Sequence, residues 1–173
     1  MCLEEGCVTS FLQESQGSVR EYCMPQSLAK NLVHLVFSTK HRQRVLEPAL
    51  RSDLHRYMAT VLRDELSPAL LINSVWDHVH ILFNLHRTRA LSAVVMETKR
   101  SSSKWLKTQR AQLKQFHWQA GFGAFSISQS TIEEVKRYIQ DQEIHHRTMT
   151  FQDELREFLQ RHQIDYDERY VWD

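Results

Sequence analysis

Residues 75–83, VWDHVHILF, constrain the fold of this chain more than any other segment. A His-Val-His triplet with apolar residues on both sides is typical of a β-strand, in which successive side chains point to opposite faces. We therefore expect His78 and His80 to share one face while Val79 points into a core. Neutral imidazole is the commonest protein metal ligand, so the pair indicates either a divalent-cation site or two ordinary histidines on a solvated sheet face.

The remaining segments predict an α+β domain. Runs rich in β-branched and aromatic residues predict strands over residues 31–38, 69–75, 78–85 and 124–128. Amphipathic patterns predict helices from Pro48 to the Ser67-Pro68 pair, over 89–107, from about 131 to 146 and from about 150 to 162. The order β-α-β-β-α-β predicts a ferredoxin-like (RRM-like) antiparallel sheet with helices on one face and further helices appended at the C-terminus.

Length and composition indicate one domain. A chain of 173 residues suits a single core. Residues 1–23 show no periodicity and are expected to form a disordered or weakly ordered extension, with the domain over 24–173. All three cysteines lie before residue 24, and no stretch reaches the roughly 18 apolar residues that span a bilayer. We therefore expect a cytoplasmic protein without a disulfide framework or a membrane partner.

Charge is distributed unevenly along the chain. The net charge is only +1, but residues 24–150 carry 18 Lys and Arg against 10 Asp and Glu, together with nine of the ten histidines. Both ends are acidic. A basic centre of this kind is typical of a surface that binds phosphates, although many solvated helix faces are as basic.

A second pair of residues adds chemistry. Tyr138 and Gln142 lie four apart in the third expected helix and so share one face. A phenol is a potential nucleophile, and an amide oxygen is a hard ligand that Mg²⁺ or Mn²⁺ accepts. Taken alone, both are as easily explained as ordinary helix residues. His145 and His146 lie near the same face and remain alternatives to Gln142 as a metal ligand, while Asp77 could orient a ligand imidazole.

The two pairs together resemble the signature of single-tyrosine HUH endonucleases. That signature places His-hydrophobic-His on a strand and Tyr-x-x-x-Gln on a later helix. The chain also resembles bacterial single-tyrosine insertion-sequence transposases, to which the REP-associated tyrosine transposases are close relatives. The resemblance extends over residues 24–173 and is carried by residues 34–40, 76–80, 118–126, 135–139, 151–154 and 164–172.

The resemblance implies a mechanism. Tyr138 would attack a phosphorus atom of single-stranded DNA, giving a 5′-phosphotyrosine and a free 3′-OH. His78, His80 and Gln142 would hold one Mg²⁺ or Mn²⁺. The substrate would be a hairpin-containing element end, and the protein would be a homodimer in which Tyr138 acts either in cis or in trans.

Basic and aromatic residues are the candidates for DNA contacts. Lysine and arginine would contact phosphates, and Trp118 would stack on an unpaired base. The basic candidates are Lys40, Arg42, Arg44, Arg87, Arg89, Lys99, Arg100, Lys104 and Lys107.

Three other functions remain open. The chain could be a domesticated relative that processes repeated palindromic DNA. It could be a non-catalytic single-stranded nucleic-acid-binding protein on the same scaffold, or a metal-dependent hydrolase that uses water in place of Tyr138.

Overall fold

The computed structural model of the protein describes residues 27–172. The expectations for residues 1–23 therefore lie outside the described residues. The sheet has four antiparallel strands in the order β2-β3-β1-β4. They are β1 (Asn31–Ser38), β2 (Ala69–Ser74), β3 (His78–Leu85) and β4 (Gly123–Ile127). The helices are α1 (Pro48–Asp64), α2 (Leu91–Gln109), α3 (Ile132–Gln140), α4 (Gln142–His145) and α5 (Phe151–Arg161). The predicted ferredoxin-like α+β fold is confirmed.

One face of the sheet packs on α1 and α2. Alternate residues of β1 and β3 point to this side, and they form the largest apolar cluster with the buried residues of both helices. The strand residues in it are Val33, Leu35, Phe37, Val79, Ile81 and Phe83. This layer is the main core of the molecule.

The opposite face is covered by the three C-terminal helices. Val36 and Phe125 pack against α5, while Leu32 and Leu82 pack against α3. The histidines of β1 and β3 lie on the same face, between these two small apolar clusters. The appended helices therefore enclose the polar residues of the sheet.

The boundaries of most elements lie within two residues of the expected ones, but the third helix differs. We expected it to continue to about residue 146, and it breaks at Asp141, which has φ −87° and ψ 13°. The side-chain amide of Asn73 on β2 donates to the carbonyl oxygens of Ile139 at 2.6 Å and Gln140 at 3.2 Å. These carbonyls are therefore satisfied from the sheet, and α4 begins at Gln142 as a separate short helix.

Among residues 27–172, no helix combines the length and the apolar character needed to cross a membrane.

Candidate metal centre and nucleophile

Two histidines of β3 form the base of the site. His78 and His80 lie opposite Ser38 and Val36 of β1, and both side chains are buried. Val79 points to the other face, into the core with α1 and α2. The alternation expected of this strand is therefore present, and it places two imidazoles under the C-terminal helices.

Two further ligand-type side chains come from those helices. His146 follows α4, and Glu154 lies in the first turn of α5, with only 1% of its surface exposed. One ligand-type atom from each of His78, His80, His146 and Glu154 lies within 4.8 Å of the others. Oε2 of Glu154 lies 3.5 Å, 3.4 Å and 3.2 Å from the Nε2 atoms of the three histidines in that order. Four residues far apart in sequence thus converge on one point.

Each imidazole is oriented through its other nitrogen. Nδ1 of His78 lies 2.7 Å from Oδ1 of Asp77, as expected of an orienting carboxylate. Nδ1 of His80 lies 3.0 Å from Nε2 of His34, and Nδ1 of His146 lies 2.8 Å from the carbonyl oxygen of Met149. A partner on Nδ1 leaves Nε2 free to bind an ion, as in many metal sites.

The donor set fits a cation. Nε2 of His78 and Nε2 of His146 lie 2.9 Å apart, so two lone pairs would face each other unless a proton or a metal ion lay between them. Nε2 of His80 and Oε2 of Glu154 are buried, with no hydrogen-bond partner among residues 27–172. Such unpaired buried polar atoms are rare in native proteins. Imidazoles suit borderline divalent ions such as Zn²⁺ and Fe²⁺, and a carboxylate also suits harder ions such as Mn²⁺.

The charge states of these groups also fit. Burial lowers the pKa of His78 to about 4, although the hydrogen bond with Asp77 opposes this, so the imidazole is neutral at neutral pH. Burial alone would raise the pKa of Glu154, but the neighbouring imidazoles of His80 and His146 hold it well below its usual range. The Glu154 carboxylate is therefore ionised and the His78 imidazole is uncharged, as metal binding requires. Burial opposes the charged form of His146, but the nearby carboxylate of Glu154 raises the pKa of that imidazole.

Tyr138 is joined to the same carboxylate. Its hydroxyl donates to Oε1 of Glu154 and lies 3.3 Å from Nε2 of His145. Burial and the charge of Glu154 raise the pKa of Tyr138 well above its ordinary value. The phenol therefore stays protonated, one carboxylate away from the three imidazoles.

Gln142 lies beside the ligand cluster. Its side chain is buried, and Nε2 donates to Oε1 of Glu154 at 3.1 Å and to the carbonyl oxygen of Tyr138 at 3.4 Å. Oε1 of Gln142 has no hydrogen-bond partner in the described part of the chain. Of the two histidines kept as alternatives, His146 joins the cluster and His145 contacts Tyr138. The role of Gln142 as a ligand stays a prediction.

Glu154 is the residue that the sequence analysis missed. It lies on the apolar face of α5 together with Phe151, Leu155 and Phe158. A carboxylate on the buried stripe of an amphipathic helix was the available signal, because such a group needs a partner or a metal. Its distance of 16 residues from Tyr138 gave no local pattern.

The basic candidates for DNA contacts fall into three groups. Lys40, Arg42 and Arg44 follow β1, and Arg87 and Arg89 precede α2. The third group lies on α2 along a groove of about 490 Å³ that residues 117–122 complete. It consists of Lys99, Arg100, Lys104 and Lys107.

Two members of that groove have structural contacts. Nζ of Lys99 donates to the carbonyl oxygens of Gln119, Ala120 and Gly121, and burial lowers its pKa to about 8. Trp118 is 7% exposed, stands edge-on to Phe37 and donates from Nε1 to Ser102. Most of its ring is therefore covered by the core, whereas Phe122 in the same groove is 40% exposed.

Comparison with known families identifies the chain. A model described as "Transposase IS200 like" matches residues 27–142, which is more than half of the sequence. The chain belongs to the IS200-like transposase family. The match includes His78, His80, Tyr138 and Gln142 and ends before His146 and Glu154. No match was found among curated proteins.

Solved structures share the fold of this IS200-like transposase. A crystal structure of a candidate transposase from Deinococcus radiodurans R1 is 18% identical, with a TM-score of 0.54, and the match covers 69% of this chain and 98% of that one. A REP-associated tyrosine transposase bound to a REP hairpin is 17% identical, with a TM-score of 0.53, over 71% of this chain and 73% of that one.

Proposed function

We propose that this IS200-like transposase cleaves and rejoins single-stranded DNA through a 5′-phosphotyrosine on Tyr138. The observation that carries the proposal is the shared carboxylate of Glu154. One of its oxygens accepts the hydroxyl of Tyr138, and the other faces the imidazoles of His78, His80 and His146. A nucleophile and a metal-type donor set thus lie side by side, whereas a protein that only binds nucleic acid needs neither.

The residues account for the bond changes. Oη of Tyr138 forms a bond to phosphorus while the P–O3′ bond breaks, and O3′ leaves with the electron pair and takes a proton from water. Oε1 of Glu154 already accepts the phenol hydrogen and is placed to take that proton. Attack of a 3′-OH on the phosphotyrosine reverses these changes and rejoins a strand, so no nucleotide cofactor is needed.

We propose that His78, His80, His146 and Glu154 hold the ion, with Gln142 as an alternative ligand at the edge of the group. A bound Mg²⁺ or Mn²⁺ would supply a Lewis acid for the scissile phosphate. The buried position of the imidazoles beneath α5 keeps bulk water away from the donor atoms.

We propose element-end DNA with hairpins as the substrate. The REP hairpin in the structure of the REP-associated transposase supports this choice, as do the basic groups after β1 and along α2. The hydroxyl of Tyr138 donates to Glu154 of its own chain, which supports action in cis. A homodimer, a cytoplasmic location and a domain over residues 24–173 stay predictions.

The test uses labelled single-stranded DNA from the sequences that flank the gene, incubated with the protein and Mn²⁺ and resolved on a denaturing gel. We expect a covalent protein–DNA adduct that Tyr138→Phe removes. Tyr170→Phe, at an exposed tyrosine, is the matched control and should keep the adduct. Cleavage without an adduct would support a hydrolase that uses water, and DNA binding without cleavage would support a non-catalytic binding protein.

A further inference from the structure

A polar cleft of about 600 Å³ opens beside the candidate metal centre. Asp77 and His146 are among its lining residues, so the cleft reaches the residues that contact or supply the donor set. Four arginines from three parts of the chain surround it, together with one tryptophan. This arginine cleft comprises Arg42, Arg44, Arg51, Arg147 and Trp76.

Positive charge dominates the cleft. Four arginines outnumber its two carboxylates: Glu143 pairs with Arg51 at 2.5 Å, and Asp77, which contacts the neutral imidazole of His78, lies near Arg44. Arg44 and Arg147 are exposed, and within residues 27–172 neither forms an ion pair with a carboxylate. The cleft therefore carries a net positive charge where an anionic strand would enter.

Trp76 organises two of the arginines. The guanidinium carbon of Arg44 lies 5.5 Å from the ring centroid, and that of Arg51 lies 5.3 Å away. Arg51 is buried and donates from Nε to the carbonyl oxygen of Leu46 at 2.9 Å, while its Nη2 has no hydrogen-bond partner among the described residues. Stacking holds a guanidinium in place and leaves its N–H edge available, as phosphate recognition requires.

We propose that the arginine cleft binds the phosphodiester backbone of single-stranded DNA next to the scissile linkage. Arg44 and Arg147 contact phosphate oxygens, and Trp76 acts as a positioning residue for Arg44. The volume is that of a small-ligand site, which suits a nucleotide or two of one strand. This proposal rests on the proposed function, because that function places a scissile phosphate at the donor set.

The test measures binding of fluorescent single-stranded oligothymidylate to the full-length chain carrying Tyr138→Phe, so that no adduct forms, with Mn²⁺ present. Arg44→Gln and Arg147→Gln should each weaken binding roughly tenfold, as expected for one lost charge-assisted contact. The logarithm of the association constant falls linearly with the logarithm of the salt concentration, and each substitution should make this negative slope shallower by about 0.7. Trp76→Ala should weaken binding and Trp76→Phe should restore most of it.

Arg63→Gln is the matched control. Arg63 is exposed in the last turn of α1, about 18 Å along the helix from Arg51. Its substitution should leave affinity and salt slope unchanged. An oligothymidylate with an uncharged methylphosphonate backbone should bind equally weakly to the parent and to Arg44→Gln. Melting temperatures near that of the parent show that each variant is folded.

Two outcomes separate this proposal from the proposed function. If the chain with native Tyr138 forms the adduct but Arg44→Gln and Arg147→Gln bind like Arg63→Gln, the cleft proposal is wrong and the transposase chemistry stands. If no adduct forms but these variants lose affinity and salt slope, the cleft binds DNA and the proposed chemistry is wrong.

Discussion

At the scale of single residues, Glu154 links the nucleophile to the metal-type donors. Removal of its charge would weaken the hydrogen bond that Tyr138 donates to Oε1. It would also leave the three imidazoles without the anionic oxygen, Oε2, that they face. Substitutions at Glu154 therefore report on both functions together and cannot separate them. His146 and Gln142 are better probes, because each contacts only one of the two oxygens of that carboxylate.

We expect His146→Ala to weaken Mn²⁺ binding more than Gln142→Ala does. Nε2 of His146 faces the common point of the donor set, whereas Gln142 donates its amide to Oε1 of Glu154. Calorimetric titration with Mn²⁺ measures the difference, with exposed His117→Ala as the control. A larger loss of Mn²⁺ affinity in Gln142→Ala than in His146→Ala would indicate that the amide oxygen of Gln142, and not His146, completes the ligand set with His78 and His80.

His55 should make stability depend on pH. Burial and the nearby Arg51 lower its folded-state pKa from 6.5 to about 4. Below pH 6.5 the unfolded chain therefore binds more protons at this position, and stability falls as the pH falls. The loss between pH 7 and pH 5 is about 2 kcal/mol.

His55→Gln can keep the contact with Ser74, which lies 2.8 Å from Nε2, but it does not titrate. Urea unfolding in EDTA at the two pH values should show a smaller loss for His55→Gln than for exposed His117→Gln. An equal loss in both variants would show that His55 titrates normally.

The residues that sequence analysis identified share one property. His78 and His80 lie two apart, and Tyr138 and Gln142 lie four apart, so one element presents each pair and its periodicity reveals it. His146 was an alternative ligand because it lies four residues after Gln142, but Glu154 joins the site only through tertiary packing. No spacing relates α5 to β3, and only the unusual burial of a carboxylate distinguishes Glu154.

At the scale of elements, the break at Asp141 separates α3, which carries Tyr138, from α4, which begins at Gln142. His146 lies one turn beyond Gln142, because its backbone N–H donates to the carbonyl oxygen of Gln142 at 3.0 Å. Both side chains contact the carboxylate of Glu154, and His146 also contacts His78. The break contains no proline or glycine, and the side chain that binds the carbonyls before it, Asn73, comes from β2, so local sequence could not predict it.

The N-terminus of α5 should contribute to the site through Thr150. Its side-chain oxygen accepts from the backbone N–H of Asp153 at 3.2 Å, which caps the helix that carries Glu154. Thr150→Ala should lower the free energy of unfolding by about 1 kcal/mol in urea titrations. Mn²⁺ affinity should fall with it.

Thr150→Ser preserves the hydroxyl and should retain both properties. If Thr150→Ala lost stability but bound Mn²⁺ like the parent, the position of Glu154 would not depend on the cap.

At the scale of the whole molecule, the sheet separates two layers with different composition. The α1–α2 layer is apolar, and the C-terminal layer surrounds buried histidines and a carboxylate. The order of strands and helices was predictable because hydrophobic periodicity encodes it. The sequence predicted that further helices follow the last strand, but not that they cover the second face of the sheet. The apolar stripes of α3 and α5 are small, and a stripe by itself does not indicate which surface it packs against.

Metal binding should stabilise the entire chain. An ion held by β3, the end of α4 and α5 would bind the folded state alone, so Mn²⁺ at 100 times its Kd should add about 2.7 kcal/mol. Calorimetric scans with Mn²⁺ and with EDTA would show the rise in Tm. Glu154→Gln should reduce the rise, and an equal rise in that variant would place the ion elsewhere.

The donors differ in the stability of the elements that carry them. His78 and His80 belong to a strand paired on both sides, whereas His146 and Glu154 belong to the short helices of the C-terminal layer. Such helices can open locally while a central strand stays paired. A bound ion would then exchange when this C-terminal segment opens, and the rate of exchange would be the rate of that local opening. His78 and His80 would stay in place on the paired strand and would be the first ligands of the next ion.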